Sequence, residues 1–300
     1  MIRAWSSARF TIDLPAGHRF PIEKYQRIRD RVISRGILPT DRVLEPERVE
    51  RWSLALVHTS GYLDKIYDGA LAPAEARRLG FPWSEQLKER SLRTVQATLE
   101  AARDALEHGA GITLAGGTHH AFPDHGEGFC VFNDVAVAIR VLQREGRIER
   151  ALVIDLDVHQ GNGTARIFAG DQDVYTFSMH GGKNYPFHKE SSTLDVELED
   201  GCDDGTYLAL LSRHLEPVLS AARPEVVFYL AGSDPYQEDR FGRLGLSRAG
   251  LAERDRMVVQ ACRSRGLPLV LTMSGGYAQS LDDISAIHSE SVRTVIKIYG

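Results

Sequence analysis

The sequence contains few cysteines: Cys130, Cys202 and Cys262 are the only three in 300 residues, and they are far apart. An odd, scattered set excludes a disulfide framework and a paired-cysteine metal site, and it favours a reducing compartment. Long apolar runs are also absent, since no segment approaches the roughly 18 residues of a membrane span. The first twenty residues lack the apolar centre of a signal peptide. We therefore expect a cytoplasmic protein that does not act in a membrane.

A basic patch is missing as well. The net charge is −5, the isoelectric point is near 6.1, and no Lys/Arg run has the length typical of a nucleic-acid-binding surface. Nucleic acid is therefore not an expected partner. Repeats, low-complexity tracts and Pro/Gly/Ser linkers are absent too. A chain that is 43% hydrophobic and 26% charged is an ordinary globular one. We expect a single domain over residues 1–300.

Short apolar runs alternate with amphipathic helices from about residue 92 onward, and one further helix is expected at 22–36. This alternation predicts an α/β fold in which helices cover both faces of a parallel sheet. The predicted strands are 112–117, 151–157, 174–180, 226–232 and 268–276. The later predicted helices are 93–109, 133–146, 205–220 and 247–266.

Polar residues follow these strands, at the edge where open α/β sheets bind ligands. In "DLDVHQGNG", Asp155, Asp157 and His159 alternate with apolar residues and share one face of an extended chain. Asp234 follows a second strand in "AGSDP". Two carboxylates and one imidazole with a fourth position open describe a catalytic zinc site. A divalent ion would also compensate the buried negative charge.

Two further strand ends carry residues suited to catalysis. His119 and His120 follow Gly116-Gly117, and beside a metal they are natural general acid–base groups because imidazole titrates near neutral pH. Tyr277 follows a glycine turn and can donate its hydroxyl to a developing oxyanion.

Four ordered segments resemble the histone deacetylase superfamily, which has the arginase–deacetylase fold: "GGTHHAFPDHGEGFCVFND", "VIDLDVHQGNGT", "YLAGSDPYQEDRFGRLGLS" and "MSGGY". The QGN after the metal-binding histidine and "DRFGRLGLS" resemble the class IV branch and its bacterial relatives. The resemblance is continuous over about 90–280 and weaker before that. It implies an eight-stranded parallel sheet flanked by helices and one zinc ion per chain.

The resemblance also implies a role for individual residues. The zinc ligands would be Asp157, His159 and Asp234, and the catalytic residues His119, His120 and Tyr277, with Asp155 behind His119 and Asn162 behind His120. Gly128, Phe129 and Phe187 would contact substrate in the lysine tunnel. A monovalent cation, K⁺ or Na⁺, would be held by Asp155, Ser178 and the carbonyls of Asp157, His159 and Met179.

Asn162 departs from the pattern of class I enzymes, in which an Asp stands at the matching position. An amide orients His120 but supplies no charge to stabilise an imidazolium. We therefore expect His120 to stay neutral at pH 7 more readily than an Asp-backed histidine. On this reasoning Asn162→Asp should raise the lower limb of the pH–rate profile.

The expected function is a zinc-dependent amidohydrolase that removes acyl groups from Nε-acyl-lysine. The length of the acyl chain, from acetyl to the long-chain fatty acyl that the class IV resemblance suggests, stays open. The same motifs suit a small acylated amine such as an acetylpolyamine. A ureohydrolase on the same fold, with two manganese ions, is less suited because it needs additional carboxylates. Here "AGSDPYQ" retains only Asp234, and Asn162 replaces a potential carboxylate ligand of the second metal ion. A non-enzymatic acyl-lysine-binding protein would have lost a ligand, a catalytic His or the Tyr. The sequence predicts no oligomeric state.

Overall fold

The computed structural model describes residues 1–300, and its centre is one sheet of eight parallel strands. Their order across the sheet is β2-β1-β3-β8-β7-β4-β5-β6. The strands are β1 Ala4–Trp5, β2 Val43–Leu44, β3 Ala110–Thr113, β4 Ala151–Asp155, β5 Val174–Gly181, β6 Leu194–Leu198, β7 Val226–Leu230 and β8 Leu269–Thr272.

Ten α-helices connect and cover these strands. They are α1 Lys24–Ser34, α2 Arg51–Leu54, α3 Ser60–Asp68, α4 Pro73–Leu79, α5 Glu85–His108, α6 Asp134–Arg144, α7 Asn162–Ile167, α8 Asp204–Ala222, α9 Arg248–Ser264 and α10 Leu281–Tyr299. None of them combines the length and the apolar character that crossing a membrane requires.

Alternate residues of the central strands fill two separate cores. Leu152 and Ile154 of β4 face a core shared with α1, α8, α9 and α10, whereas Ala151 and Val153 face a core shared with α5 and α6. All five residues of β4 are buried. A strand that is buried on both faces has a continuous apolar sequence, and this pattern is why the sequence predicts a parallel sheet.

The predicted elements of the second half of the chain are confirmed, but their ends differ. Helix α5 begins at Glu85 rather than residue 93, because the Ser84 side chain caps it by accepting a hydrogen bond from the Leu87 amide. Four strands end before their predicted last residue: β3 at Thr113, β4 at Asp155, β7 at Leu230 and β8 at Thr272. Strands β1, β2 and β6 and helices α2, α3, α4, α7 and α10 were not predicted.

The strand order brings the functional segments together. Strand β4 lies between β5 and β7, and β8 lies between β7 and β3. Because all strands are parallel, the segments that follow β3, β4, β7 and β8 leave the sheet at the same edge. The polar residues after those four strands, which are far apart in the sequence, therefore meet in one place.

Candidate active site

A buried group of three potential metal ligands lies at this edge. Asp157, His159 and Asp234 each offer one ligand atom, and these atoms lie within 4.8 Å of one another. His159 Nδ1 lies 3.0 Å from Asp157 Oδ1 and 3.3 Å from Asp234 Oδ2. The other oxygen of each carboxylate is held by backbone, since Gly275 N donates to Asp157 and Val158 N donates to Asp234. The ligand atoms are thus fixed in a converging arrangement.

The electrostatics of this group fit a divalent cation. Burial, and next the nearby Asp157 carboxylate, raise the pKa of Asp234 to about 7. Asp234 Oδ2 is buried and has no hydrogen-bond partner. A Cβ atom at Gly275 would lie 1.9 Å from that oxygen, so only glycine leaves it clear. Burying two adjacent carboxylates, one with an unpartnered oxygen, costs free energy unless a positive charge compensates them. The three side chains could therefore hold a metal ion.

His119 is tied to a carboxylate. Its Nδ1 lies 2.7 Å from Asp155 Oδ2, and its Nε2 lies 3.9 Å from Asp157 Oδ1. Burial lowers the pKa of His119, but the carboxylates of Asp155 and Asp157 outweigh burial and raise it to about 9. His119 therefore favours the protonated form.

His120 is oriented by an amide, as the sequence suggested, but a carboxylate stands behind that amide. Asn162 Oδ1 lies 2.7 Å from His120 Nδ1, and Asn162 Nδ2 donates to Glu127 Oε1 at 2.6 Å. The donation to Glu127 fixes which end of the amide faces the ring, so His120 Nδ1 is the donor and Nε2 carries the lone pair. Burial, and next the neighbouring His119 and His159, lower the pKa of His120 well below its usual value.

Glu127 accepts hydrogen bonds from several side chains, although it was not singled out from the sequence. Burial raises its pKa, but hydrogen bonds from His125, Asn162 and Tyr185 outweigh burial and lower it. The Tyr185 hydroxyl donates to Glu127 Oε1 at 2.9 Å. Asn162 is therefore a neutral spacer between His120 and an ionised carboxylate.

Tyr277 lies close to the three potential metal ligands and lines the same cavity as His120 and His159. Its ring centroid is 6.3 Å from that of His159. Burial, and next the carboxylates of Asp157 and Asp234, raise the pKa of Tyr277 well above its usual value, so its hydroxyl stays a hydrogen-bond donor. Asp239 accepts from the Tyr277 backbone amide at 2.6 Å, and Arg240 donates to its carbonyl at 2.8 Å. Both contacts fix the position of Tyr277.

Lys24 supports the same turn from the opposite side, and nothing in the sequence around it indicated such a role. It is fully buried and donates to the carbonyls of Ser274 and Gly276. Its ammonium also lies 5.1 Å from the centroid of the Tyr277 ring. The contact joins residues more than 240 positions apart, which a local pattern does not reveal.

A cavity of about 500 Å³ opens above these residues, and we call it the site pocket; His120, Phe129, His159, Tyr185 and Tyr277 line it. Phe129 packs as predicted on one wall, 6.1 Å from Tyr277 between ring centroids, next to Gly128. A Cβ at Gly128, whose φ is +57°, would lie 2.5 Å from the His120 ring. Glycine is therefore required where this loop approaches the histidine.

Phe187, the other phenylalanine that the resemblance places in the tunnel, is also among the residues that line the site pocket. Its side chain is 83% exposed at the mouth of the site pocket. Tyr185 occupies the inner wall, with its ring centroid 5.0 Å from that of His120. The hydroxyl bond to Glu127 holds Tyr185 inward, and Phe187 extends past it towards solvent.

The residues predicted to hold a monovalent cation are neighbours. Asp155 of β4 and Ser178 of β5 are partners in register, and Met179 follows Ser178. The Ser178 hydroxyl lies 2.9 Å from Nδ1 of the buried His180. His180 thus contacts the predicted cation site rather than the catalytic histidines, and the cation itself stays a prediction.

Comparison with known proteins identifies the family of this chain. Residues 18–294 match the histone deacetylase domain family. The chain belongs to the histone deacetylase family, and it is a deacetylase with the arginase–deacetylase fold.

Individual relatives span nearly the whole chain. An uncharacterized protein of Picosynechococcus sp. is 42% identical over 290 residues, 97% of either chain. Histone deacetylase 2 of Arabidopsis thaliana is 33% identical over 272 residues, 88% of this chain and 70% of that one. The crystal structure of a histone deacetylase homolog from Aquifex aeolicus superposes with a TM-score of 0.83 and 22% identity, over 99% of this chain and 84% of that one. That likeness supports the fold alone.

The contact between Asn162 and Glu127 changes the expected effect of Asn162→Asp. Alone, this substitution sets two carboxylates within 2.6 Å of each other, so we expect the loop to shift and kcat to fall by about tenfold or more. Asn162→Asp with Glu127→Gln restores a donor–acceptor pair and should recover most of kcat. In this double variant a carboxylate contacts His120 directly and raises its pKa, so the acid limb of the kcat/KM profile should move to higher pH.

The single variant Glu127→Gln is the matched control, because it removes the charge without introducing one beside His120. The pH profiles of all three variants test the arrangement. A double variant no more active than Asn162→Asp alone would contradict it.

Proposed function

We propose that this deacetylase is a zinc-dependent hydrolase of linear amides that removes the acyl group from the Nε atom of acylated lysine in a peptide or protein. The observation that carries the proposal is the buried group of Asp157, His159 and Asp234 at the base of a pocket lined by His120 and Tyr277. We also propose that residues 1–300 form one domain, since the early strands β1 and β2 belong to the same sheet as the site.

Asp157, His159 and Asp234 would hold the metal. If zinc is bound by these three side chains, it would supply Lewis-acid chemistry, which polarises the acyl carbonyl and lowers the pKa of the attacking water. His120 is poised to take a proton from that water at Nε2, because burial keeps the ring neutral and Asn162 holds the proton on Nδ1. The ring orientation depends in turn on Glu127.

Tyr277 donates its hydroxyl to the oxygen on which negative charge develops as water attacks. The donation is preorganised, because Asp239, Arg240 and Lys24 fix the turn that carries Tyr277. A protonated imidazole then gives a proton to the departing lysine amine. His120 acquires that proton in the first step, and His119, held protonated by Asp155, is the second donor within the site.

A substrate panel tests this proposal. The metal-loaded protein is assayed with lysine peptides that carry acyl chains from acetyl to myristoyl, and with N-acetylputrescine and N-acetylspermidine. We expect kcat/KM for at least one acyl-lysine peptide to exceed that for either polyamine. Hydrolysis of the polyamines alone would assign the activity to small acylated amines, and zinc binding with no hydrolysis of the panel would favour a binding protein. The profile across chain lengths reports how much of the site pocket the acyl group fills.

A further inference from the structure

The mouth of the site pocket is strongly basic. Six cationic side chains line it and no Asp or Glu does, although the whole chain carries a net charge of −5. We call this set the basic rim: Arg19, Arg77, Arg78, Lys183, Arg240 and Arg243. All six are exposed. The local charge around the entrance is thus opposite to the charge of the protein as a whole.

Most of the basic rim is not neutralised from within the chain. Lys183 lies 3.6 Å from Glu199, and Arg243 lies 3.2 Å from Asp200. The other four arginines form no ion pair with a carboxylate. Unpaired cations around a concave surface concentrate anions there and accelerate their association.

The backbone places these charges beside the entrance. The carbonyls of Arg78 and Leu79 accept hydrogen bonds from Gly128 and Phe129, which fixes the end of α4 against the phenylalanine wall. Across the pocket, Arg240 donates to the carbonyls of Tyr277 and Arg19. Positive charge therefore flanks the mouth on two sides, whereas the base of the pocket carries the imidazoles and the metal-binding carboxylates.

We infer that the basic rim selects acyl-lysine residues that lie within an acidic segment of a peptide or protein. This inference rests on the proposed function, because it takes the acyl-lysine to enter the pocket while its neighbours stay outside. The six cationic side chains of the basic rim are exposed, so the complementary charge belongs on the residues that flank the lysine and stay outside the pocket. An acetylpolyamine would carry positive charge past the basic rim and be repelled.

The experiment compares three acetyl-lysine peptides of equal length whose flanking residues are acidic, neutral or basic. We expect kcat/KM to be about tenfold or more higher for the acidic than for the basic peptide, mainly through KM, since several exposed charge pairs act together. The difference should shrink between about 50 mM and about 500 mM NaCl, because salt screens exposed charges.

Charge-reversed variants assign the effect to the basic rim. Arg77→Glu/Arg78→Glu should remove or invert the preference for the acidic peptide, and Arg77→Gln/Arg78→Gln should weaken it by an intermediate amount. The control is Arg35→Glu/Arg213→Glu, which changes net charge equally at two exposed arginines that form no ion pair and lie outside the site pocket. It should keep the preference of the wild type.

Equal kcat/KM for the three peptides, or a preference unchanged in Arg77→Glu/Arg78→Glu, would overturn the inference while leaving the proposed function standing. Dissociation constants of the same peptides, measured by fluorescence anisotropy, test independently of turnover whether the basic rim selects acidic peptides. If no peptide is hydrolysed, the proposed function fails, and the ratio of dissociation constants for the acidic and basic peptides still supports or overturns the role of the basic rim.

Discussion

Replacing His120 with Ala is expected to lower kcat for an acyl-lysine peptide by about 10²- to 10⁴-fold, the range that a positioned general base supplies. The neutral ring, with its proton held on Nδ1 by Asn162, is the group in the site best prepared to take a proton. His120 is outside the group of metal ligands, so the metal content measured on the purified variant should equal that of the wild type.

His108→Ala is the matched control, because His108 is exposed at the end of α5, away from the site. It should retain normal turnover. Near-normal turnover in His120→Ala would remove the proposed role of this histidine. A loss of activity accompanied by loss of the metal would show that His120 acts by supporting the metal site instead.

Tyr277→Phe is expected to lower kcat by about 10²- to 10³-fold with little change in KM, because the hydroxyl acts on charge that develops only in the transition state. Since the pKa of Tyr277 is raised well above its usual value, the hydroxyl keeps its proton across the working pH range. Phenylalanine preserves the ring contacts with Phe129 and Phe241 and removes only the donor.

Tyr175→Phe, at a half-buried tyrosine of β5 away from the site pocket, controls for removal of a hydroxyl and should leave kcat unchanged. Steady-state kinetics on a single peptide measure both variants. A Tyr277→Phe enzyme with unaltered kcat, or one impaired only in KM, would contradict oxyanion stabilisation by this residue.

The site was partly predictable because its chemistry is concentrated at strand ends. Asp157 and His159 are two residues apart in one segment that follows a buried strand, which is enough to indicate a shared site. The extended chain that we expect up to residue 157 ends at Asp155, so the bend after β4 brings the two side chains together. Asp234 and Tyr277 follow other buried strands, and parallel strands bring such ends together whatever their separation in sequence. Polar residues that directly follow a buried strand can be recognised from a short stretch of sequence.

Contacts between loops were not predictable. Glu127 reaches Asn162 across 35 positions and Tyr185 across 58, and no periodicity links those segments. These contacts explain why neither Glu127 nor Tyr185 was singled out from the sequence. Likewise, β1 and β2 have two residues each, which is too short for alternation to be detected.

A deacetylase and a ureohydrolase on this fold differ in the number of metal ions that the site holds. Asn162, in a position that a second metal ion would need as a carboxylate, instead donates to Glu127 and contacts His120. Both of its polar atoms are thus already engaged. This arrangement is at odds with a two-manganese ureohydrolase and compatible with one ion per chain.

Zinc titration into chelator-treated protein, with hydrolysis of an acyl-lysine peptide followed at each addition, tests the central claim most directly. We expect no turnover without metal, and activity that rises linearly with added zinc and saturates at one ion per chain. Full activity in the chelated protein, or saturation only at two ions, would contradict it.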